Sequence, residues 1–466
     1  MDIIKRYEYI DSENKRHIVY DNDLKRLKKS NIDVKTVKCM TSGKDIDITN
    51  RDKIIYRIKE CEKDNNKYLD LSNLNNSEYS KLSNYDRLFK PDIMNIEHLH
   101  LSSNNLSKIN DLDFLLNLKY LDCSYNKLQF IPKVKNSIIE IHCKNNEIEC
   151  LNNIKNTKIK TLTCQNNKIK TIPFFSDLQE LNCSNNQILK MYPMKDLSVM
   201  ECQNNKMEKL FVNQKMKHIN CSDNAISEIY LETSNLNFEI EYLNCKNNKI
   251  KYIPTFLHLK RLSCSFNKLK DMGKMLNLVY LYCANNEIEK LCIYSELIGL
   301  YCENNDISEI EFINNNELKS LNCSNNKISR LTSLPKSIEN LNCSFNKISN
   351  LPELDELYIL ICNNNIIESL KICDSVIFVQ CSNNNITEVT LKSKSKSNKS
   401  NNGKICEDNV DKKINCCNNN IFRLPYFENF SDLIIDKNIK YISLEYKKNT
   451  FKIKELKDNV LHIERK

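Results

Sequence analysis

The sequence predicts a repeat solenoid on three observations. One phrase recurs sixteen times between Leu101 and Cys416, each copy repeats the same columns of apolar positions, and an asparagine stands at one fixed place in all of them. Periods near twenty residues mark stacked coils. One such unit has too little apolar surface to offset its chain entropy, whereas stacked units bury their apolar columns against each other.

With Cys123 as the origin of a unit, the phrase recurs at Cys143, Cys164, Cys183, Cys202, Cys221, Cys245, Cys264, Cys283, Cys302, Cys323, Cys343, Cys362, Cys381 and Cys416, and Leu101 begins the series. Successive origins lie 19 to 24 residues apart, except for the last step of 35. Two residues before each origin the side chain is apolar, as in Leu99, Leu121, Ile141 and Ile414; so it is five after (Leu106, Leu128, Ile421) and eight after (Ile109, Ile131, Leu424). Three after the origin stands asparagine, from Asn104 and Asn126 to Asn384 and Asn419.

The apolar positions at minus two and the origin alternate with polar ones, the period of a half-buried strand. A 19-residue unit then leaves about eight residues for the return, too few for an α-helix of ordinary length. Extended or single-turn 3₁₀ outer segments are expected instead. Pro132, Pro173, Pro254, Pro352 and Pro425, each just after the plus-eight position, agree with that.

The phrase LKSLNCSNNKI at Leu318 to Ile328 resembles the leucine-rich repeat, with cysteine replacing the third leucine. The likeness covers about residues 96 to 424. It implies a leucine-rich-repeat horseshoe with a parallel β-sheet on the concave side and extended or 3₁₀ outer segments. The short unit resembles the bacterial effector subtype. The Cys-Ser-Asn-Asn wording and the Asn, Ile and Lys bias resemble repeat proteins of giant DNA viruses of amoebae.

Asparagine suits an inward-facing turn because its amide carries both donors and an acceptor for backbone groups that no strand pairs. In the family such side chains stack as a ladder between coils, which the resemblance implies for Asn126, Asn286 and Asn326. Cysteine at the origin, as in Cys123, Cys283 and Cys323, is small, apolar and readily buried. A stack of disulfides fits poorly. In-register neighbours stay about 4.8 Å apart, wider at Cβ than the roughly 3.8 Å a disulfide prefers. Thiols strung along a line also do not converge on a metal. Free, reduced thiols are expected, with no metal and no cofactor.

Residues 1–65 lack the repeat and read as an N-terminal cap, with an alternating stretch at Tyr7 to Tyr20 and helices around Leu24 to Lys29 and Ile54 to Cys61. Residues 66–95 form an introductory repeat, KYLDLSNLN, in which Leu74 stands in the asparagine column. The repeats run over 96–391, a Lys/Ser/Asn insertion of disordered character over 392–404, the last repeat over 405–430, and a C-terminal cap of two or three strands over 431–466.

The net charge of +9, from 69 Lys and Arg against 60 Asp and Glu, is a mild excess. Nucleic-acid binding would need the basic residues gathered on one face. The charged opening MDIIKRYEYIDSENKRH and the lack of any run of about eighteen apolar residues predict no signal peptide and no membrane span. A cytoplasmic monomer is expected. With 4 glycines, a Gly-rich phosphate loop is not available, and no arrangement of nucleophile, acid and base appears.

Outward positions at minus three and minus one form the face used for partners in this family. Tyr242, Arg261, Tyr280, Tyr282 and Tyr301 gather there in the middle of the array, and these are residue types enriched at binding hot spots. A second patch is His98, His100, Asp122, Glu140 and His142, where a zinc site or a pH-sensitive contact is conceivable. Ile359, Ile361 and Phe378 make an apolar third. The function expected is a non-enzymatic scaffold binding an unidentified protein partner. The alternatives are nucleic-acid binding by a basic surface and a structural role in a virion.

Overall fold

The computed structural model describes residues 67–74, 95–392 apart from 110, 234–236, 295–296, 314, 332–333 and 374, and 412–424 apart from 422. Beyond these it describes two short helical pieces at 57–58 and 61, and strands near either end of the chain. The insertion from 393 to 404 and the helix expected around Leu24 to Lys29 lie outside the described residues. The chain forms two compact units, Met1–Glu147 and Ile148–Lys466.

In the first unit, strands Tyr68–Asp70, His98–His100, Tyr120–Asp122 and Glu140–His142 run parallel and in register, Tyr68 beside His98, Tyr120 and Glu140. Each is three residues long because only minus three to minus one alternate before the chain turns. The central residues Leu69, Leu99, Leu121 and Ile141 are buried, and so are the origins Leu71, Leu101, Cys123 and Cys143. Ahead of them, Arg6–Ile10 pairs antiparallel with Arg16–Tyr20 on one side and Thr36–Cys39 on the other. The Arg57 guanidinium donates to the carbonyls of Asp70 and Ser72 at 3.0 and 3.1 Å, tying a helical turn to the first coil beside the buried Ile58.

The second unit repeats this geometry in a parallel sheet from Thr161–Thr163 to Lys412–Asn415, each strand one coil further on. Strand Phe430–Asp436 extends it in parallel, with a register shift at Lys412 and Lys413. Val460–Arg465 then pairs antiparallel with both Phe430–Asp436 and Phe451–Glu455. Two or three closing strands were expected, and the last lies in VLHIER, where no repeat signal exists.

On the return side the chain is extended, with a 3₁₀ turn at Asn152–Ile154. Several returns also pair with each other. Lys209–Val212 lies beside Glu228–Leu231, Lys290–Ile293 beside Glu309–Phe312, and Ser369–Cys373 beside Glu388–Lys392, all parallel. These second sheets begin at the same place in every partner, plus seven, just past the turn, so backbone groups there face each other and pair whatever the length of the rest of the coil.

The asparagine at plus three closes every coil onto the previous one. Asn126 donates from Nδ2 to the carbonyls of Leu101, Cys123 and Ser124, at 3.0, 3.0 and 3.1 Å. Its Oδ1 accepts from the backbone N–H of Leu106 at 2.8 Å. Asn286 repeats this pattern on Cys264, Cys283, Ala284 and Leu269, and Asn326 repeats it on Cys302, Cys323, Ser324 and Ile307.

One residue earlier, the backbone is left-handed in each of the sixteen coils, with φ from 53° to 58° between Ser103 and Asn418. L side chains resist this region, and asparagine is among those that enter it most readily. That explains why the coils favour two asparagines in a row. The first also makes an outer ladder: Asn204 donates to Asn185 at 2.7 Å, Asn383 to Asn364 at 3.0 Å and Asn418 to Asn383 at 2.7 Å. Tyr125, Phe266 and Phe345 adopt the same strained φ and are about half exposed.

Among the described residues no helix is long and apolar enough to cross a membrane. Two substitutions test the turn with opposite signs. Replacing Asn286 by Leu leaves backbone groups unpaired and lowers stability by on the order of 1 to 3 kcal/mol in urea melts. Replacing Phe266 by Asn relieves the left-handed backbone and raises it by about 1 kcal/mol. A midpoint that does not move in either variant contradicts this account of the turn.

Candidate partner-binding site

The outward residues of the sheet are spaced by the strands that carry them, so side chains in one row stand about 4.8 Å apart and rings must stack or tilt. In the second unit the minus-three row runs His218, Tyr242, Arg261, Tyr280, Gly299, and the minus-one row runs Ser263, Tyr282, Tyr301. The five residues singled out from the sequence therefore lie on four consecutive strands. Tyr282 and Tyr301 stack with centroids 4.8 Å apart and planes within 2°. His218 stacks on Tyr242 at 4.3 Å and 2°. The Arg261 guanidinium lies over the Tyr280 ring at 5.0 Å.

Gly299 was not among the sequence candidates, yet it shapes the group. A Cβ placed on it would come within 2.9 Å of Tyr280 Cδ1 and 3.2 Å of Tyr301 Cε2. The absent side chain is what lets both rings settle there. The signal was available in the sequence, because glycine is rare in this chain and stands at an outward strand position two residues before Tyr301 and one coil after Tyr280.

Arg261 is exposed, while the four tyrosines are half-buried. Among the described residues, no hydrogen bond or ion pair engages the guanidinium. The neighbouring charges are paired elsewhere: Glu201 with His218 at 2.7 Å and Glu241 with Lys260 at 2.9 Å. Burial is the main cause of a raised Tyr282 pKa, so its hydroxyl stays protonated, a donor as well as an acceptor. A groove alongside, lined by Lys217, Glu239, Glu241 and Lys260, pairs its charges internally, Lys217 lying 3.4 Å from Glu239.

The histidine patch belongs to the first unit. The structure adds Tyr68 and Tyr120 to it, which the sequence reading left out: His100 lies 4.6 Å from Tyr68 and 4.8 Å from Tyr120, and Tyr120 lies 5.1 Å from His142. Two of the three imidazoles have a carboxylate near them, His142 meeting Glu140 at 2.6 Å and His100 lying 3.9 Å from Asp122. Burial outweighs those carboxylates at His100 and lowers its pKa. Among the described residues no His, Cys, Asp and Glu group is arranged to hold a metal ion. Ile359, Ile361 and Phe378 lie half-buried on two adjacent strands further along the second unit.

Beneath these rows the origin cysteines are fully buried free thiols. Each donates its backbone N–H to the strand ahead, as Cys283 does to Tyr301 O at 2.8 Å. Burial pushes the Cys164, Cys245 and Cys343 thiols up to about 12, and the Cys183, Cys202, Cys221, Cys264 and Cys302 thiols well above their ordinary value.

Parallel strands at the start of each coil, asparagines bridging coils and extended returns together decide the architecture. The fold is that of a leucine-rich-repeat protein. No family model matches the chain. Over 115 residues it is 30% identical to a putative leucine-rich repeat protein, R380, of Acanthamoeba polyphaga mimivirus, a match covering 24% of this chain and 26% of that one. The chain thus spans about a quarter of the length of that relative.

Among solved structures, it is similar to the functional domain of InlJ from Listeria monocytogenes, which includes a cysteine ladder, at 20% identity and a TM-score of 0.56 over 89% of this chain and 90% of that one. It is also similar to YopM, a leucine-rich effector protein from Yersinia pestis, at 23% identity and a TM-score of 0.51 over 74% of this chain and 94% of that one. These likenesses establish the leucine-rich-repeat fold, and the match to the mimivirus protein agrees with the resemblance to amoeba-virus repeat proteins.

The buried thiols make stability sensitive to alkali. Their pKa is raised in the fold and about 8.5 in the unfolded chain, so unfolding releases protons above that pH. Stability is therefore full below about pH 8.5 and is lost as pH rises towards about 12, by about 1.4 kcal/mol per pH unit for each thiol. Because the ladder thiols act together, the urea midpoint should fall steeply between about pH 8.5 and 9.5. A midpoint that stays level across that interval refutes a ladder of neutral buried thiols.

Proposed function

We propose that this leucine-rich-repeat protein is a non-enzymatic scaffold that binds a protein partner on the outward face of its long sheet, through Tyr242, Arg261, Tyr280, Tyr282 and Tyr301. Leucine-rich-repeat folds are typical protein-interaction scaffolds. The observation that carries the reading is the row itself: rings and a guanidinium preorganised by stacking, whose polar ends meet no hydrogen-bond partner among the described residues. Stacked rings lose little side-chain freedom on binding, which is why such residues make efficient anchors.

The basic-surface alternative rested on the lysine-rich insertion, which lies outside the described residues. On the described surface, lysines pair widely with carboxylates of neighbouring coils, as Lys119 does with Glu97 at 2.7 Å and Lys319 with Glu339 at 3.1 Å. That pattern lowers the positive potential a polyanion would need.

Affinity capture with the wild type beside a Tyr280→Ala, Tyr282→Ala, Tyr301→Ala variant tests the proposal. The expected outcome is a set of proteins held by the wild type with and without nuclease and lost from the variant, whose melting transition stays close to that of the wild type. Proteins held equally by both place the contact elsewhere, and recovery abolished by nuclease favours nucleic acid.

A further inference from the structure

The same row carries information about the chemistry of what it binds. An aromatic side chain is negative over its faces and positive around its edge. Here one face of each ring is occupied: Tyr282 and Tyr301 stack on each other, His218 stacks on Tyr242, and the Arg261 guanidinium lies over Tyr280. Alongside the remaining faces, these rings offer a ligand their electropositive rims and phenolic hydroxyls. In the row between Tyr242 and Tyr280 stands Arg261, exposed and without a carboxylate partner among the described residues, while Glu201 and Glu241 are held by His218 and Lys260.

Resting on the protein-binding reading above, we infer that this site recognises an extended acidic segment of the partner, an Asp or Glu carboxylate seated on Arg261 and its flanking acceptors met by the tyrosine hydroxyls. The planar guanidinium presents parallel N–H donors that match a carboxylate two at a time. A cationic ligand meets one repelling charge. Single-stranded nucleic acid is disfavoured because its binding meets several phosphates with several cations, and this site offers one. One cation ringed by hydroxyls suits one carboxylate in a peptide.

A random peptide library displayed on phage and selected on the wild type tests this, with each recovered peptide then synthesised and its affinity measured against variants. Peptides that depend on the tyrosines, by the triple alanine variant, should carry Asp or Glu at a recurring position. They should lose about tenfold or more in affinity with Arg261→Gln and less with Arg261→Lys, which keeps the charge but not the fork. Substituting the recurring acid by Asn or Gln should reproduce the loss on the wild type and add little on Arg261→Gln.

Tyrosine-dependent peptides that lack an acid, or that tolerate Arg261→Gln, overturn the carboxylate assignment and leave the protein-binding reading standing. A selection yielding no tyrosine-dependent peptide removes both. Tight binding of homopolymeric single-stranded RNA that Arg261→Gln abolishes also overturns the assignment, in favour of a phosphate ligand.

Discussion

One amide per coil holds this protein together. The plus-three asparagine reaches both its own strand end and the coil before it, and the three donor and two acceptor contacts of Asn126 engage backbone groups that the strands leave behind. Such groups, left unpaired in a core this narrow, would each cost on the order of 1 to 3 kcal/mol. The turn it closes also decides where the strand stops. Because the amide accepts an N–H from the previous coil, successive coils are locked in translation, and the sheet, the second sheets and the cysteine column all inherit that register.

Register in turn dictates surface chemistry. Side chains one coil apart are held near the spacing of stacked rings, so aromatics in adjacent coils of a row stack, as Tyr282 and Tyr301 do, or tilt against each other, as Tyr68, His98 and Tyr120 do. A partner therefore meets rings whose orientation the coil spacing has already set. The cysteines lie on the other side of the same strands and contribute nothing to that surface. Their role is to fill a thin core with a side chain small enough for extended returns, at the expense of stability in alkali.

The columns at minus two, the origin, plus three and plus five were legible because each imposes one residue type on every coil, and a constraint repeated sixteen times cannot be mistaken for composition. The coil, its strand and its extended return followed. Three features did not follow. The left-handed backbone at plus two was obscured because Tyr125, Phe266 and Phe345 occupy it alongside the asparagines, which blurs the column. The second sheets depend on neighbouring returns being in step just past the turn, a property of pairs of coils that no single unit displays. Gly299 matters through what it lacks, and its meaning appears only once Tyr280 and Tyr301 are seen leaning over it. Of the candidate site, residue type and row were readable. Which rings pair, and which charges were already neutralised, required side-chain positions.

The ladder also bears on heredity. Each asparagine touches only its own coil and the one before, so a coil excised whole leaves chemically equivalent partners on either side of the gap, and a coil duplicated whole inserts with every bond already specified. Unequal recombination between near-identical coding segments can therefore lengthen or shorten the array without passing through an unfolded product. The outward rows are free to diverge after each copying event, which makes chain length and surface pattern separate quantities on which selection can act.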